Sequence, residues 1–306
     1  MPDVQLADLR PTPGSGRGWA VLQFPLTRLV VALVSITGLV TLAQVAVLGA
    51  AGTLGIERSG LAMALLVLVA ALPAPALYVG YVRLIERRRV VELAADRLAG
   101  DLGIGFALGL GLCTTTILVL LIAQVARIEL DAGLAAIVPA LLFAFGAALA
   151  EEILFRGIVF RIIEERLGSW IAFAISAALF GTLHLLHEHA SFTTAIAIAL
   201  EAGVLLGAAY MSARRLWLPI AIHAGWNFGQ LGVFGVPGSG PGGHGFWALH
   251  LTGPSLWTGG DAGPDSSPVA ILACLALAVA FLVLAHRRGH VVRAFWTAKS
   301  ATWTAL

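Results

Sequence analysis

Acidic, basic and amide side chains stand in this chain at places where a hydrophobic run has no ordinary use for them. Glu151, Glu152 and Arg156 occur together in AEEILFRGIVF, His184, His187 and His189 in LFGTLHLLHEH, His223 and Asn227 in PIAIHAGWNFGQ, and Glu201 in IALEAGVLLG. An ionisable group at the centre of a membrane helix costs at least about 2.5–3.5 kcal/mol, so such groups mark a site by default. Glu152 and Arg156 are four apart, share a helix face and can pair; Glu151 lies about 100° further round and points elsewhere. One carboxylate is thereby neutralised and the other is left to act as a general base. His223 and Asn227, also four apart, can donate into one cavity, as a site holding an oxyanion requires. The plainer alternatives are charges at a helix end, a satisfied core histidine, and polar contacts between helices.

Depth along the helices favours chemistry for the first two groups. At 1.5 Å per residue, Glu151 and His184 each fall about 20 Å from the same end of their helices, while His223 and Asn227 fall shallower, at about 10–16 Å. Phe180, one turn before His184, either lines the same cleft or faces lipid. Glu164, Glu165 and Arg166 read as charges at the membrane surface. His187 and His189 lie at the outer boundary; His184 with His187 has a spacing that two zinc ligands could use, though it is common by chance. Glu201 fits a supporting group, a partner for Arg156 or a gating group equally well. No HExxH, no GxSxG within a hydrophobic run, no aspartate in those runs and no phosphate-binding loop is present. A carboxylate, histidines and an asparagine on different helices remain, the inventory for activating water and holding a tetrahedral intermediate.

The elements that must position these groups are membrane helices. The 306 residues are 59% hydrophobic and 12% charged, with mean hydropathy +0.91. A soluble domain carries about 25% charged residues, so a soluble enzyme and a disordered chain are both excluded. Net charge of +2 gives no reason to invoke nucleic acid, and Cys113 and Cys274, both in apolar runs, suggest no disulfide framework. Eight apolar runs are long enough to span a bilayer: 27–51, 61–84, 102–126, 133–160, 170–187, 193–212, 216–235 and 267–286. Lacking β-like alternation, they must be helices. The expected architecture is an all-α, polytopic bundle of about eight transmembrane helices with the active site buried inside it. Residues 1–26 form an N-terminal segment, 27–286 the membrane domain and 287–306 a basic tail.

With the N-terminus cytoplasmic, all Lys and Arg except Arg58 and Arg127 fall on the cytoplasmic side, so both termini are expected there. Arginine far outnumbers the single lysine, Lys299, as in GC-rich bacterial genomes, which makes the inner membrane the expected location. The basic stretch from Arg83 to Arg97 reads as a solvated loop that also attracts anionic headgroups. The Gly- and Pro-rich segment 236–266, without Lys or Arg, reads as a flexible outer loop, with a lid as the alternative.

Taken in order, Glu151-Glu152-x-x-x-Arg156, Phe180-x-x-x-His184 and His223-x-x-x-Asn227 resemble the CPBP (Abi) family of intramembrane proteases. That family includes type II CAAX prenyl endopeptidases and bacteriocin-processing or self-immunity proteins, and the resemblance covers about residues 135–235. It implies that Glu151 and His184 activate the attacking water, that His223 and Asn227 bind the oxyanion, and that Glu152 and Arg156 support them. A metal such as zinc, if used, would fall to Glu151, His184 and His223; zinc normally takes three protein ligands plus water and Asn is a poor one, so the expectation leans to a metal-free mechanism. The implied substrate is a membrane-embedded or lipid-anchored protein or peptide. Two other readings stand beside this one: a non-catalytic membrane scaffold or immunity-type protein of the same fold, and a proton-coupled transporter using Glu151, Glu201 and the histidines. No inverted repeat supports the transporter.

Overall fold

The computed structural model describes residues 10–12, 16–53, 60–186, 191–236 and 244–297; His187 and His189 lie outside them. Six segments are long and apolar enough to cross a membrane: Pro25–Thr53 (α1), Leu61–Glu86 (α2), Leu98–Ile122 (α3), Gly133–Leu186, Phe192–Ala213 (α6) and Pro268–Arg287 (α8). The longest is two helices, 133–167 (α4) and 169–186 (α5), because Gly168 has φ 79° and ψ 168° and ends the first. Only glycine suits this break: φ is left-handed, and a Cβ here would lie 2.7 Å from the backbone nitrogen of Ala294. A further apolar helix, Trp217–Phe228 continued by a wide π turn over Gly229–Val233 (α7), completes the bundle. Each of the eight apolar runs is therefore helical over most of its described length, in a multi-pass membrane protein whose outward faces carry Val34, Leu42, Val45, Ile104, Leu272 and Val279.

Pairings between distant segments fix which ends lie together. Ala126–Leu130 (β1), after α3, pairs antiparallel with Trp247–Leu251 (β2), between α7 and α8, with Ile128 opposite Leu249. Four helices separate these strands, an even number, as two strands on one side of a membrane require. At the opposite end, Ser169 donates its backbone N–H to the carbonyl of Val292, again across four helices. The segments before α1 and after α8 therefore lie on one side.

The expectation of a loose outer loop is corrected for residues 244–266. β2 and a run of tight turns over Gly260–Ser266 order them, because the strand edge of β1 supplies backbone partners and Asp265 finds donors on α7. The surface reading of the charged ends is also corrected. Glu164 is buried and paired with Arg214 at 2.5 Å. Arg88, within the supposed solvated loop, is buried against Glu86 and Glu92. Unpaired charges there would be too costly at the bilayer boundary, so the bundle closes with carboxylate–guanidinium pairs.

The helix bearing His223 and Asn227 is set by glycine. Gly105 and Gly109 on α3 face Gly225 and Gly229 on α7, two small-xxx-small pairs that let the backbones touch. A Cβ at Gly109 would sit 1.9 Å from the Ile222 carbonyl oxygen, and one at Gly225 would sit 2.3 Å from that of Phe106. Gly109→Ala is expected to force α7 away from α3, costing about 1–3 kcal/mol. A scan of the unfolding temperature in detergent, with cleavage measured in parallel, checks this; an unchanged midpoint would mean that the helices do not depend on that contact.

Candidate active site

Four helices, α4 to α7, carry the chemistry-bearing residues, and three of them include a wide turn. Glu152 ends the regular part of α4, and Ile153–Phe160 continues as π helix. Ala199–Gly203 within α6, carrying Glu201, and the end of α7 are π as well. Such turns free carbonyls from the regular ladder and are common at functional sites. Arg156 uses one of them, donating to the Gly203 carbonyl at 3.1 Å, and donates to Glu152 Oε1 at 2.7 Å. Glu152 and Arg156 are both fully buried, so the pairing expected from their spacing forms inside the bundle.

Glu152 holds a second partner: His223 Nδ1–H donates to its Oε1 at 3.1 Å. The depth difference counted along the helices is therefore absent in the bundle, where α7 crosses α4 close enough to hydrogen-bond. His184, at the last turn of α5, donates Nδ1–H to the Phe180 carbonyl at 2.8 Å. In both neutral rings this puts the lone pair on Nε2. Phe180 is buried rather than facing lipid, with its ring centroid 4.9 Å from that of His184 and 5.8 Å from that of His223. The Arg156 guanidinium lies 4.7 Å from the same ring centre.

His184, His223 and Asn227 line one cavity with Phe180, Glu201 and Asp265. Its volume of about 50 Å³ holds a few water molecules. Glu151 is not in this wall. It lies within electrostatic reach of His223 and Arg156, and its Oε2 is buried without a hydrogen-bond partner among the described residues. Glu152 Oε2 and Arg156 Nε share that condition.

Glu201 is not a partner for Arg156; its Oε1 accepts from Cys274 Sγ at 3.4 Å. Asp265 is the site residue the sequence did not disclose. It enters from the segment between β2 and α8 and accepts from Trp226 Nε1 at 3.0 Å and from Gln230 Nε2. The spacing of His223, Trp226, Asn227 and Gln230 puts all four on one face of α7, a periodicity that could have flagged the tryptophan and the glutamine. Nothing in a Gly- and Pro-rich segment could have flagged Asp265.

Residues 133–229 match the family model described as Type II CAAX prenyl endopeptidase, Rce1-like. The matched segment, about a third of the chain, runs from the start of α4 to the start of the π turn in α7 and contains Glu151, Glu152, Arg156, His184, His223 and Asn227. No curated protein and no solved structure matches the chain.

Among the described residues, no three His, Cys, Asp or Glu side chains form a group that could hold a metal. Glu151, His184 and His223 do not form such a group: each ring donates Nδ1–H, to Phe180 or to Glu152, and keeps Nε2 for another partner, while Glu151 stands outside the cavity wall.

Asp265 gives the site a pH signature. Burial pushes its carboxyl up to about 6, against the hydrogen bonds from Trp226 and Gln230 that favour the ionised form. A raised carboxyl adds stability that is full below its unfolded value of 3.8 and is lost as pH rises through about 6. Asp265→Asn is expected to flatten the unfolding temperature across that window, read by thermal scans at a series of pH values. An unchanged pH dependence would place Asp265 in contact with water.

Proposed function

We propose that the protein is an intramembrane endopeptidase that hydrolyses a peptide bond of a membrane-embedded or lipid-anchored protein or peptide. The observation that carries this reading is the pair of histidines from different helices, each oriented through Nδ1, on one buried cavity with Phe180 between them. The match to a prenyl endopeptidase family model supports the same reaction class and makes a prenylated substrate the first to try. On the charge asymmetry, both termini face the cytoplasm, with the inner membrane of a bacterium as the location.

In this mechanism Glu151 takes a proton from water, and His184 Nε2 accepts the second hydrogen bond that aligns it for attack on the carbonyl carbon. Asn227 Nδ2–H donates to the oxyanion. His223 donates as well when its ring carries both protons, its Nδ1–H remaining on Glu152. Collapse of the intermediate passes the proton from Glu151 to the leaving amine. Glu152 and Arg156 act as positioning residues, since they touch His223 and each other rather than the reacting atoms.

The test uses purified full-length protein in liposomes with a panel of farnesylated and transmembrane peptides, with and without chelator. Cleavage that persists in chelator and disappears in His184→Ala supports the proposal, the expected loss being about 10²–10⁴-fold. Cleavage lost in chelator and restored by zinc would overturn the metal-free mechanism. Equal cleavage by wild type and His184→Ala would remove His184 from the chemistry.

A further inference from the structure

A second cavity, of about 610 Å³, lies at the end of α2 and has no part in the proposed hydrolysis. Its wall includes Arg10, Thr12, Arg83, Arg87, Arg88 and Arg89. The chain builds it deliberately. α2 stops at Glu86, Arg87 turns back in the left-handed region with φ 52° and ψ 41°, and the following residues fold against the helix end. Thr12 closes the rim, donating its backbone N–H to the Glu86 carbonyl at 3.0 Å and its hydroxyl to the Arg87 carbonyl at 2.7 Å.

Charge accounting singles this cavity out. Glu86 and Glu92, the acids beside it, are already engaged by Arg28, Arg88 and Arg161. Arg10, Arg83, Arg87 and Arg89 are exposed and make no ion pair among the described residues. Four cationic forks therefore surround a space that no carboxylate of the described residues neutralises. The guanidinium geometry suits phosphate oxygens, which it grips through paired N–H donors. The position suits a headgroup. The arginines follow directly on a membrane span, and Arg87 lies 3.9 Å from the ring centre of Trp19, an amphipathic side chain that favours the membrane boundary.

We propose that this cavity binds a phosphate-bearing anion at the membrane boundary. The site is independent of the peptidase reading and stands or falls without it. Each arginine near an anionic surface contributes about fivefold in affinity, so removing two is expected to weaken binding roughly thirtyfold.

The experiment takes the full-length protein in neutral detergent micelles and measures binding of three probes: phosphatidylglycerol, phosphatidylcholine and inorganic pyrophosphate. Wild type is compared with R83Q/R89Q, whose side chains lie outside the buried ion pairs. Preference for phosphatidylglycerol over phosphatidylcholine, lost in the variant and weakened by salt, supports the proposal with lipid as the source. Binding of pyrophosphate alone, lost in the same variant, supports it with a soluble phosphate as the source. Equal binding of both anionic probes by wild type and variant overturns it. Should R83Q/R89Q fail to fold, R10Q, at the rim, is read in its place with an expected loss of about fivefold.

Discussion

Glu151→Gln is expected to abolish the proposed cleavage and to leave the unfolding temperature unchanged, whereas Glu152→Gln is expected to lower both. These neighbours differ in their partners, not in their type. Glu152 is fully buried and holds Arg156 and His223 through one oxygen, so removing its charge leaves a buried guanidinium without its counter-ion. Breaking such a pair costs about 3–5 kcal/mol. Among the described residues Glu151 makes no hydrogen bond whose loss could unfold the chain, and its buried Oε2 has no partner. Gln keeps the shape and removes the base, so the proposed loss is that of a general base, about 10²–10⁴-fold. Parallel measurement of unfolding temperature and initial rate on one lipid-anchored peptide separates the two. Wild-type cleavage by Glu151→Gln would end its role as base, and a fall in its unfolding temperature would make it structural.

Much of this arrangement was legible in the sequence, because membrane helices announce themselves by length and buried charges by their cost. The apolar runs, the Glu152–Arg156 pair and the polar faces of the fourth, fifth and seventh helices follow from composition and a period of 3.6. What the sequence concealed depends on how helices cross. Counting rise per residue left His223 shallower than Glu151, since it carries no tilt; the close approach of α3 and α7 through Gly109 and Gly225 and the contact of α7 with α4 remove that difference. Glu164 and Arg88 looked like surface charges because partners fifty residues away, or across a chain reversal, leave no local trace. Asp265 was hidden for the same reason: a lone carboxyl in a glycine-rich segment acquires meaning only when β1 and β2 pair and bring it to Trp226.

Arg161→Met is expected to destabilise the fold by about 3–5 kcal/mol, the largest stability effect at any residue outside the candidate site. Arg161 donates to Glu86 at 2.7 Å and to the Gly157 carbonyl at 2.9 Å, and lies 3.3 Å from Glu92 and 3.4 Å from Glu165. With Arg28 and Arg88 it balances these three acids, so its loss leaves carboxylates in a low-dielectric pocket with too little countercharge. The same contacts tie the start of α1 and the end of α2 to the π turn that carries Arg156. Burial alone would raise the Glu92 carboxyl, but Arg88 and Arg161 hold it below the usual range. Its contribution to stability is therefore present above the unfolded value of 4.5 and is lost as pH falls through the lower folded value. Arg161→Met removes part of that support, so acid unfolding is expected at higher pH than in wild type. Glu86→Gln in the same chain should recover part of the loss, because it removes one of the uncompensated charges; the coupling is read from a double-mutant cycle of unfolding midpoints. An Arg161→Met midpoint within experimental error of wild type, at neutral and at acid pH, would show that the network holds nothing together and that apolar packing alone closes this end of the bundle.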